Sequence, residues 1–383
     1  MKYLVLLCDG MADERQPSLG DKTIIEYAKT PNMNKLAKAG RCGLVYTTPE
    51  GFPPGSDICN LSVFGYDPRK YYTGRSPLEA VSMGIPLGEG DMAFRCNLVT
   101  LSPDGSTMDD FSAHHIDQES AHEAISRLKE LFKGDIVEFY EGLSYRHLMV
   151  VRGRDLELET TPPHDITGQP IVGYLPKGKD SDYINGIMKK AAQVFSEGTG
   201  KATGIWLWGQ GKRPAMPTFQ EMYGLNGAVI AAVDLIKGIG LCAGMDVINV
   251  PGVTGFIDTN FAGKAQYAVD ALQDKDYIFV HVEAPDESGH MGSIEHKIAS
   301  VERIDSIMLP IIMDGMAKYG EHRILLMPDH PTPIRTKTHT ASPVPAIIYG
   351  AGVEPDGNET YSEFIDPSFE LRDGYQIAEM FIK

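Results

Sequence analysis

Short runs of consecutive apolar residues alternate with amphipathic stretches along most of this chain. Residues 2–8 form a near-continuous apolar run ending in Asp9-Gly10, the pattern of a strand buried on both faces inside a parallel sheet. The periodicity then predicts a helix over 24–39, stopped by Gly40, and a strand over 41–47. The later half repeats the alternation: helix 228–240, strand 246–249, helix 263–272, strand 277–282, a long helix 294–319 whose methionines at 308–316 face the core, and strands 323–327 and 344–349. Such alternation predicts an α/β fold with a doubly wound sheet.

The middle of the chain breaks this rhythm. Strand patterns at 92–101 and 136–152 lie close together, with helical stretches at 118–132 and 182–196, which reads as a smaller inserted α+β domain. Gly88-Glu89-Gly90 before it and the glycine-bearing stretch 198–211 after it are the expected linkers. The expected domains are therefore a core of 1–88 with 212–383 and an insertion of 89–211.

Composition narrows the function. A net charge of −17 repels nucleic acid and anionic membranes, so an anionic substrate needs clustered Arg or Lys side chains or bound metal. Five widely spaced cysteines without a Cys-x-x-Cys pair indicate reduced thiols and a cytoplasmic protein. The first apolar run is too short for a signal peptide, and charges interrupt the longest apolar stretch, 227–257, which excludes a membrane span. The pattern decides no oligomeric state.

Several carboxylates and imidazoles follow directly after predicted strands, where sites form in open parallel sheets. Asp9 follows the first strand, Asp286 and His290 follow 277–282, Asp329 and His330 follow 323–327, and His339 precedes 344–349. Three Asp and three His give mixed oxygen and nitrogen ligands suited to a pair of Mn²⁺ or Zn²⁺ ions, with Mg²⁺ and Co²⁺ also admitted. Two such ions about 3.5–4 Å apart clamp both oxygens of a phosphoryl transfer. Asp9-Gly10 also reads as an ordinary turn, and Asp286 with His290 as a helix start with a surface histidine. Asp329-His330, stiffened by Pro331 and Pro333, is harder to explain as packing. Ser56, just ahead of the helical pattern 58–64, stands where backbone N–H groups favour an alkoxide or a phosphoserine. Alone, Ser56 or Asp57 reads as an N-cap; beside the ligand segments, Ser56 reads as a nucleophile activated by metal.

The segments Asp286-Glu287-Ser288-Gly289-His290, Asp329-His330-Pro331-Thr332-Pro333, Lys337-Thr338-His339-Thr340, Cys8-Asp9-Gly10, Pro54-Gly55-Ser56-Asp57 and Tyr72-Thr73-Gly74-Arg75-Ser76-Pro77-Leu78-Glu79-Ala80 resemble the alkaline phosphatase superfamily. The likeness is closest to its archaeal-type cofactor-independent phosphoglycerate mutase branch and runs essentially end to end. It implies one metal held by Asp286, His290 and His339, and a second by Asp9, Ser56, Asp329 and His330. It also implies that 3-phosphoglycerate and 2-phosphoglycerate interconvert through phosphoserine at Ser56, with two divalent metal ions and no bisphosphoglycerate, under an insertion that closes over the core and excludes water.

The substrate of this reading is a small phosphorylated hydroxy acid. Arg146, Arg152, Arg213 and His115 are its expected contacts in and near the insertion, and Arg75 and Lys264 its phosphate contacts in the core. The turn holding His164 and Asp165 offers a base for the glycerate hydroxyl. The same core can also serve a metal-dependent phosphatase or a homoserine kinase-type phosphotransferase, since fold does not fix function. A metal-binding scaffold is a further alternative, disfavoured because the nucleophile and every ligand position are filled.

Overall fold

The computed structural model describes residues 1–195 and 200–383. The chain divides into two compact units, one of Met1–Tyr72 with Ala215–Lys383, the other of Thr73–Pro214. The strands in chain order are β1 (Lys2–Cys8), β2 (Arg41–Val45), β3 (Met92–Leu101), β4 (Met108–Asp110), β5 (Val137–Tyr140), β6 (Arg146–Val151), β7 (Gly204–Gly211), β8 (Gly227–Ile230), β9 (Asp246–Val247), β10 (Tyr277–Val282), β11 (His322–Met327), β12 (Val344–Gly350) and β13 (Phe369–Leu371).

The first unit holds an eight-stranded sheet in the order β13-β2-β12-β11-β1-β10-β8-β9. Its centre, β11-β1-β10-β8, is parallel throughout, which is why these strands read as unbroken apolar runs rather than alternating ones. Leu4, Leu6 and Cys8 pack on one face against helices carrying Met33, Leu36, Ala265, Val301 and Ile312. On the other face Phe279 of β10 stacks on Phe64, and Tyr3 of β1 meets Phe381. Apolar burial on both faces stabilises such a layer by roughly 25 cal/mol per Å² removed from water. It also aligns the carboxyl ends of β1, β10 and β11 at one edge.

Four expected elements differ. The helix expected over 24–39 is two, Ile24–Tyr27 and Pro31–Ala39, because Pro31 lacks an N–H and excludes the residue before it from helical backbone. Residues 228–240, expected as one helix, are strand β8 followed by helix Asp234–Cys242; an apolar run this short does not by itself distinguish a buried strand from a helix. The long helix over 294–319 is interrupted by a π-turn, Ile304–Met308, and ends in a 3₁₀ turn. The stretch 198–211, expected as a linker, supplies β7, which pairs with β3; its residues 198 and 199, and Ser196 of the expected helix 182–196, lie outside the described residues.

The second unit is built on an antiparallel sheet in which β3 pairs with β4, β6 and β7, and β6 with β5. Helices Gln118–Leu131 and Ser181–Phe195 cover one face, meeting Phe94, Cys96, Leu98, Met149 and Leu207. The unit begins at Thr73 rather than 89 and ends at Pro214 rather than 211. Ala80, Ile85 and Leu87 explain the earlier start, because they pack on Ala93, Leu148 and Val150 of this sheet. Among the described residues no helix is long and apolar enough to cross a membrane. All five cysteines are free thiols.

Candidate active site

The loops after β1, β10 and β11 meet at one edge of the parallel sheet. Asp9 follows β1, its N–H donating to the carbonyl of Val282 at 2.9 Å. Gly10 must be glycine: its φ is +61°, and a Cβ there would lie 2.5 Å from Asp286 Oδ1 and 2.6 Å from Thr332 Oγ1. The freed Gly10 N–H donates to Asp329 Oδ1 at 3.1 Å. Asp286 and His290 stand one turn apart on helix Ala284–Met291, with His290 Nε2 3.1 Å from Asp286 Oδ2. His339 brings its Nε2 to 3.0 Å from His290 Nε2 and 3.5 Å from Asp286 Oδ1. On the other side, His330 Nε2 lies 3.5 Å from Asp9 Oδ1 and 3.4 Å from Asp329 Oδ2.

Two ligand groups result: Asp286, His330 and His339 in one, Asp9, Asp329 and His330 in the other. His290 stands beside the first, and the rings of His330 and His339 stack 3.9 Å apart. The distal nitrogen of each imidazole is held from outside, His290 Nδ1 by Lys337 O at 3.0 Å, His339 Nδ1 by Pro54 O at 2.9 Å and His330 Nδ1 by Thr332 Oγ1 at 3.2 Å. That leaves each Nε2 facing the carboxylates, the orientation a metal-binding imidazole needs.

Three buried carboxylates crowded together strain each other unless a cation sits among them. Burial, and then the neighbouring Asp329, Asp286 and Glu283, push the Asp9 carboxyl well above its ordinary range, and Asp9 Oδ1 is buried with no hydrogen-bond partner. Asp286 goes the other way: against the effect of burial, His290 and His339 hold it well below the ordinary range. Burial also lowers His330. The donor set, the oriented imidazoles and the orphaned oxygen all fit divalent cations.

Ser56 opens helix Ser56–Val63. Its Oγ is 3.1 Å from His330 Nε2, so the hydroxyl stands at the ligand edge and at the positive end of the helix dipole. Asn60, one turn on and fully buried, fastens this helix to the site: its Nδ2 donates to Ser56 O at 2.9 Å and to Asp329 Oδ2 at 2.7 Å. Lys264, expected to meet phosphate, does not reach this surface. It is 0% exposed and donates to the His281 carbonyl at 2.8 Å; burial, opposed by Glu283 and Asp9, lowers it to about 8.

The second unit gathers cations on the sheet face opposite helices Gln118–Leu131 and Ser181–Phe195. Arg95 of β3, 8% exposed, pairs with Glu79 Oε2 at 3.3 Å, and Arg75 pairs with Glu79 Oε1 at 3.0 Å. The Arg95 guanidinium lies over Trp208, 4.7 Å from the ring centroid, and that of Arg146 over Tyr145, at 4.4 Å. Burial lowers Arg95 to about 10; Glu79 opposes this, and Arg75 and Arg146 add to it. His164 stands edge-on to Trp208 at 5.4 Å and His115 to Tyr145 at 6.0 Å. Asp165 is exposed, its Oδ1 3.6 Å from His164 Nε2.

Three expected contacts fall elsewhere or change place. Arg75 belongs to the second unit, not to the core. Arg152 is engaged in a network within its own unit, donating to Asp91 Oδ2 and Glu138 Oε2 at 2.7 Å and to Pro86 O at 2.6 Å. Arg213 is exposed in the irregular segment after β7.

Residues 37–199 match the family model of 2,3-bisphosphoglycerate-independent phosphoglycerate mutase. A Methanosarcina acetivorans protein of that name is 50% identical over 377 residues, covering 95% of this chain and 94% of the relative. This chain belongs to the 2,3-bisphosphoglycerate-independent phosphoglycerate mutase family. A solved Pyrococcus horikoshii protein superposes with a TM-score of 0.83 at 28% identity, covering 100% of this chain and 96% of that one. The cofactor-independent phosphoglycerate mutase of Thermoplasma acidophilum gives 0.66 at 25% identity, with 100% and 99% covered.

Sequence reasoning missed Asn60, Glu79 and Arg95 in this family member. Asn60 was within reach, because it follows Ser56 by one helical turn. Glu79 lies inside the segment Tyr72–Ala80 that carries the family likeness, but its pairing with Arg95 gave no signal, since it joins a helix to a strand by tertiary packing alone.

Proposed function

We propose that this protein interconverts 3-phosphoglycerate and 2-phosphoglycerate through a phosphoserine at Ser56, with two divalent cations bound at its ligand groups and no bisphosphoglycerate. The observation that carries this reading is the place of the Ser56 hydroxyl, 3.1 Å from the imidazole that both ligand groups share. Family membership supports the same activity. Asp286, His290 and His339 would hold one cation and Asp9, Ser56, Asp329 and His330 the other; Mn²⁺ or Zn²⁺ suits the donors. When bound, the pair supplies charge neutralisation at the transferring phosphoryl group and favours serine alkoxide.

The chain's own residues do the rest. The Ser56 oxygen, as alkoxide, attacks phosphorus in line, forming the serine O–P bond as the bond to the glycerate oxygen breaks, and the leaving oxygen takes a proton from the His164 imidazolium. The N-terminus of helix Ser56–Val63 favours the negative charge on phosphoserine. The glycerate 2-hydroxyl then attacks phosphorus, the serine O–P bond breaks to return the Ser56 oxygen, and His164, paired with Asp165, accepts the hydroxyl proton. We assign Arg75, Arg95 and Arg146 to the substrate's carboxylate, since three guanidinium groups around one carboxylate leave net positive charge for an incoming anion. His115 and Arg213 remain candidate contacts. The five free thiols accord with a cytoplasmic setting.

The test is purified protein with Mn²⁺ and 3-phosphoglycerate alone. Formation of 2-phosphoglycerate, lost in Ser56→Ala, is the expected result. Release of inorganic phosphate only, or ATP-dependent phosphorylation of homoserine in its place, would replace this reading with the phosphatase or the kinase.

A further inference from the structure

Lys297 lies on helix Ile294–Arg303, outside the ligand groups, and is 0% exposed. All three ammonium protons are engaged: with Asp13 Oδ2 at 2.8 Å, Thr332 O at 2.8 Å and Ala12 O at 3.2 Å. Ala12 and Asp13 belong to the loop that starts at Asp9. Thr332 belongs to the loop that starts at Asp329 and His330.

The two loops are joined around this cation. Thr332 N donates to Ala12 O at 3.2 Å, and the Asp13 carboxylate accepts from Gln16 Nε2 at 3.0 Å and from Ile334 N at 3.3 Å. Thr332 in turn touches both ligand groups, donating from Oγ1 to Asp286 Oδ1 at 2.5 Å and standing 3.2 Å from His330 Nδ1. Its carbonyl leaves no slack toward helix Ala284–Met291, for a Cβ on Gly289 would come within 2.4 Å of it. Stability is a poor explanation for such a pair. A buried Lys–Asp pair is expensive to desolvate, and well-packed apolar side chains commonly replace one without loss.

We infer that Lys297 is a positioning residue: its ammonium clasps the loop after β1 to the loop after β11 and so sets the separation of the two proposed cation sites. This rests on reading Asp9, Asp286, Asp329 and His330 as metal ligands, but not on the identity of the substrate. Outer partners that hold metal ligands in place are commonly worth 10–100-fold in metal affinity.

The experiment compares wild type, Lys297→Met and the double variant Asp13→Asn/Lys297→Met. Three quantities are read for each: the thermal midpoint of metal-free protein, Co²⁺ affinity and visible absorption by titration, and kcat and KM for 3-phosphoglycerate at saturating Mn²⁺. Lys297→Met strands the Asp13 carboxylate and should lower the midpoint. The double variant, with both charges removed, should recover the midpoint while Co²⁺ affinity stays at least 10-fold weaker, its absorption band shifts, and kcat falls at least 10-fold with KM within about twofold. A double variant that recovers midpoint, Co²⁺ affinity and kcat together overturns the inference, because the pair is then only a buried ion pair. If neither Met variant folds, Lys297→Gln, which keeps a donor for Thr332 O, is read by the same criteria. A wild type that binds two Co²⁺ ions but makes no 2-phosphoglycerate sinks the mutase reading and leaves this inference open to the metal titration.

Discussion

At the scale of single residues, the site depends on atoms that are absent as much as on those present. Gly10 adopts φ +61° with Asp286 and Thr332 both within 2.7 Å of where a Cβ would stand. Gly10→Ala must therefore strain its own backbone and push a candidate ligand aside, at a cost on the order of 2–3 kcal/mol. The expected result is a lower thermal midpoint together with at least 10-fold weaker Mn²⁺ binding, measured by equilibrium dialysis. Asn60 makes the complementary point. Asn60→Ala leaves buried Asp329 Oδ2 without that donor and should destabilise by about 1–3 kcal/mol, lowering kcat more than it raises KM, because the helix carrying Ser56 loses its tie to the ligand edge. An unchanged kcat would show that the helix is held elsewhere.

At the scale of elements, the face of β3 that carries Arg95 is the informative one. Arg95→Met keeps the bulk over Trp208 but removes the charge, so KM for 3-phosphoglycerate should rise at least 10-fold, while hydrolysis of p-nitrophenyl phosphate, which has no carboxylate, should not change. Equal loss on both substrates would count against the carboxylate assignment. Nearby, Ala113, His114 and His115 run consecutively at φ 50°, 54° and 51°, a left-handed turn costly for residues bearing a Cβ. The Asp110 carboxylate anchors it, accepting from Ser112 N at 2.7 Å and His114 N at 3.0 Å. The exposed His114→Gly change should stabilise by about 0.5–1 kcal/mol in urea titration, with activity retained, since His115 is the imidazole that the turn sets against Tyr145. Elements also show where sequence reading works. The strands β1, β10 and β11 were legible because burial on both faces leaves one apolar run, followed at once by Asp or His. β8 was not, because four apolar residues beside further alanines fit either period. The break at Pro31 was legible chemistry that the helical periodicity masked. The pairing of Arg95 with Glu79 was illegible because nothing local links residues in different elements.

At the scale of the whole molecule, the two units have separate cores, and an ionisable group built into one of them makes them respond differently to acid. His147 of β6 is 2% exposed, and its Nδ1 accepts from Gly142 N at 3.1 Å. Burial pulls it down from 6.5 to about 4, with Glu141 opposing and Lys129 assisting. The unfolded chain therefore binds this proton more readily than the folded one. The stability gained by burying His147 neutral is complete above pH 6.5 and is lost as pH falls through 4, at most about 3 kcal/mol. Both tryptophans of the chain, Trp206 and Trp208, lie on β7 in the same unit, so their fluorescence reports on that unit alone. Urea midpoints followed by tryptophan emission should fall between pH 6.5 and 4 by more than midpoints followed by far-ultraviolet circular dichroism, to which the larger unit contributes most. In His147→Gln, which carries no proton in this range, the two probes should fall in parallel. A larger acid-induced fall by circular dichroism than by tryptophan emission would put the titrating groups in the first unit instead, among the carboxylates and imidazoles at the ends of β1, β10 and β11, and equal falls would show that the chain unfolds as one unit.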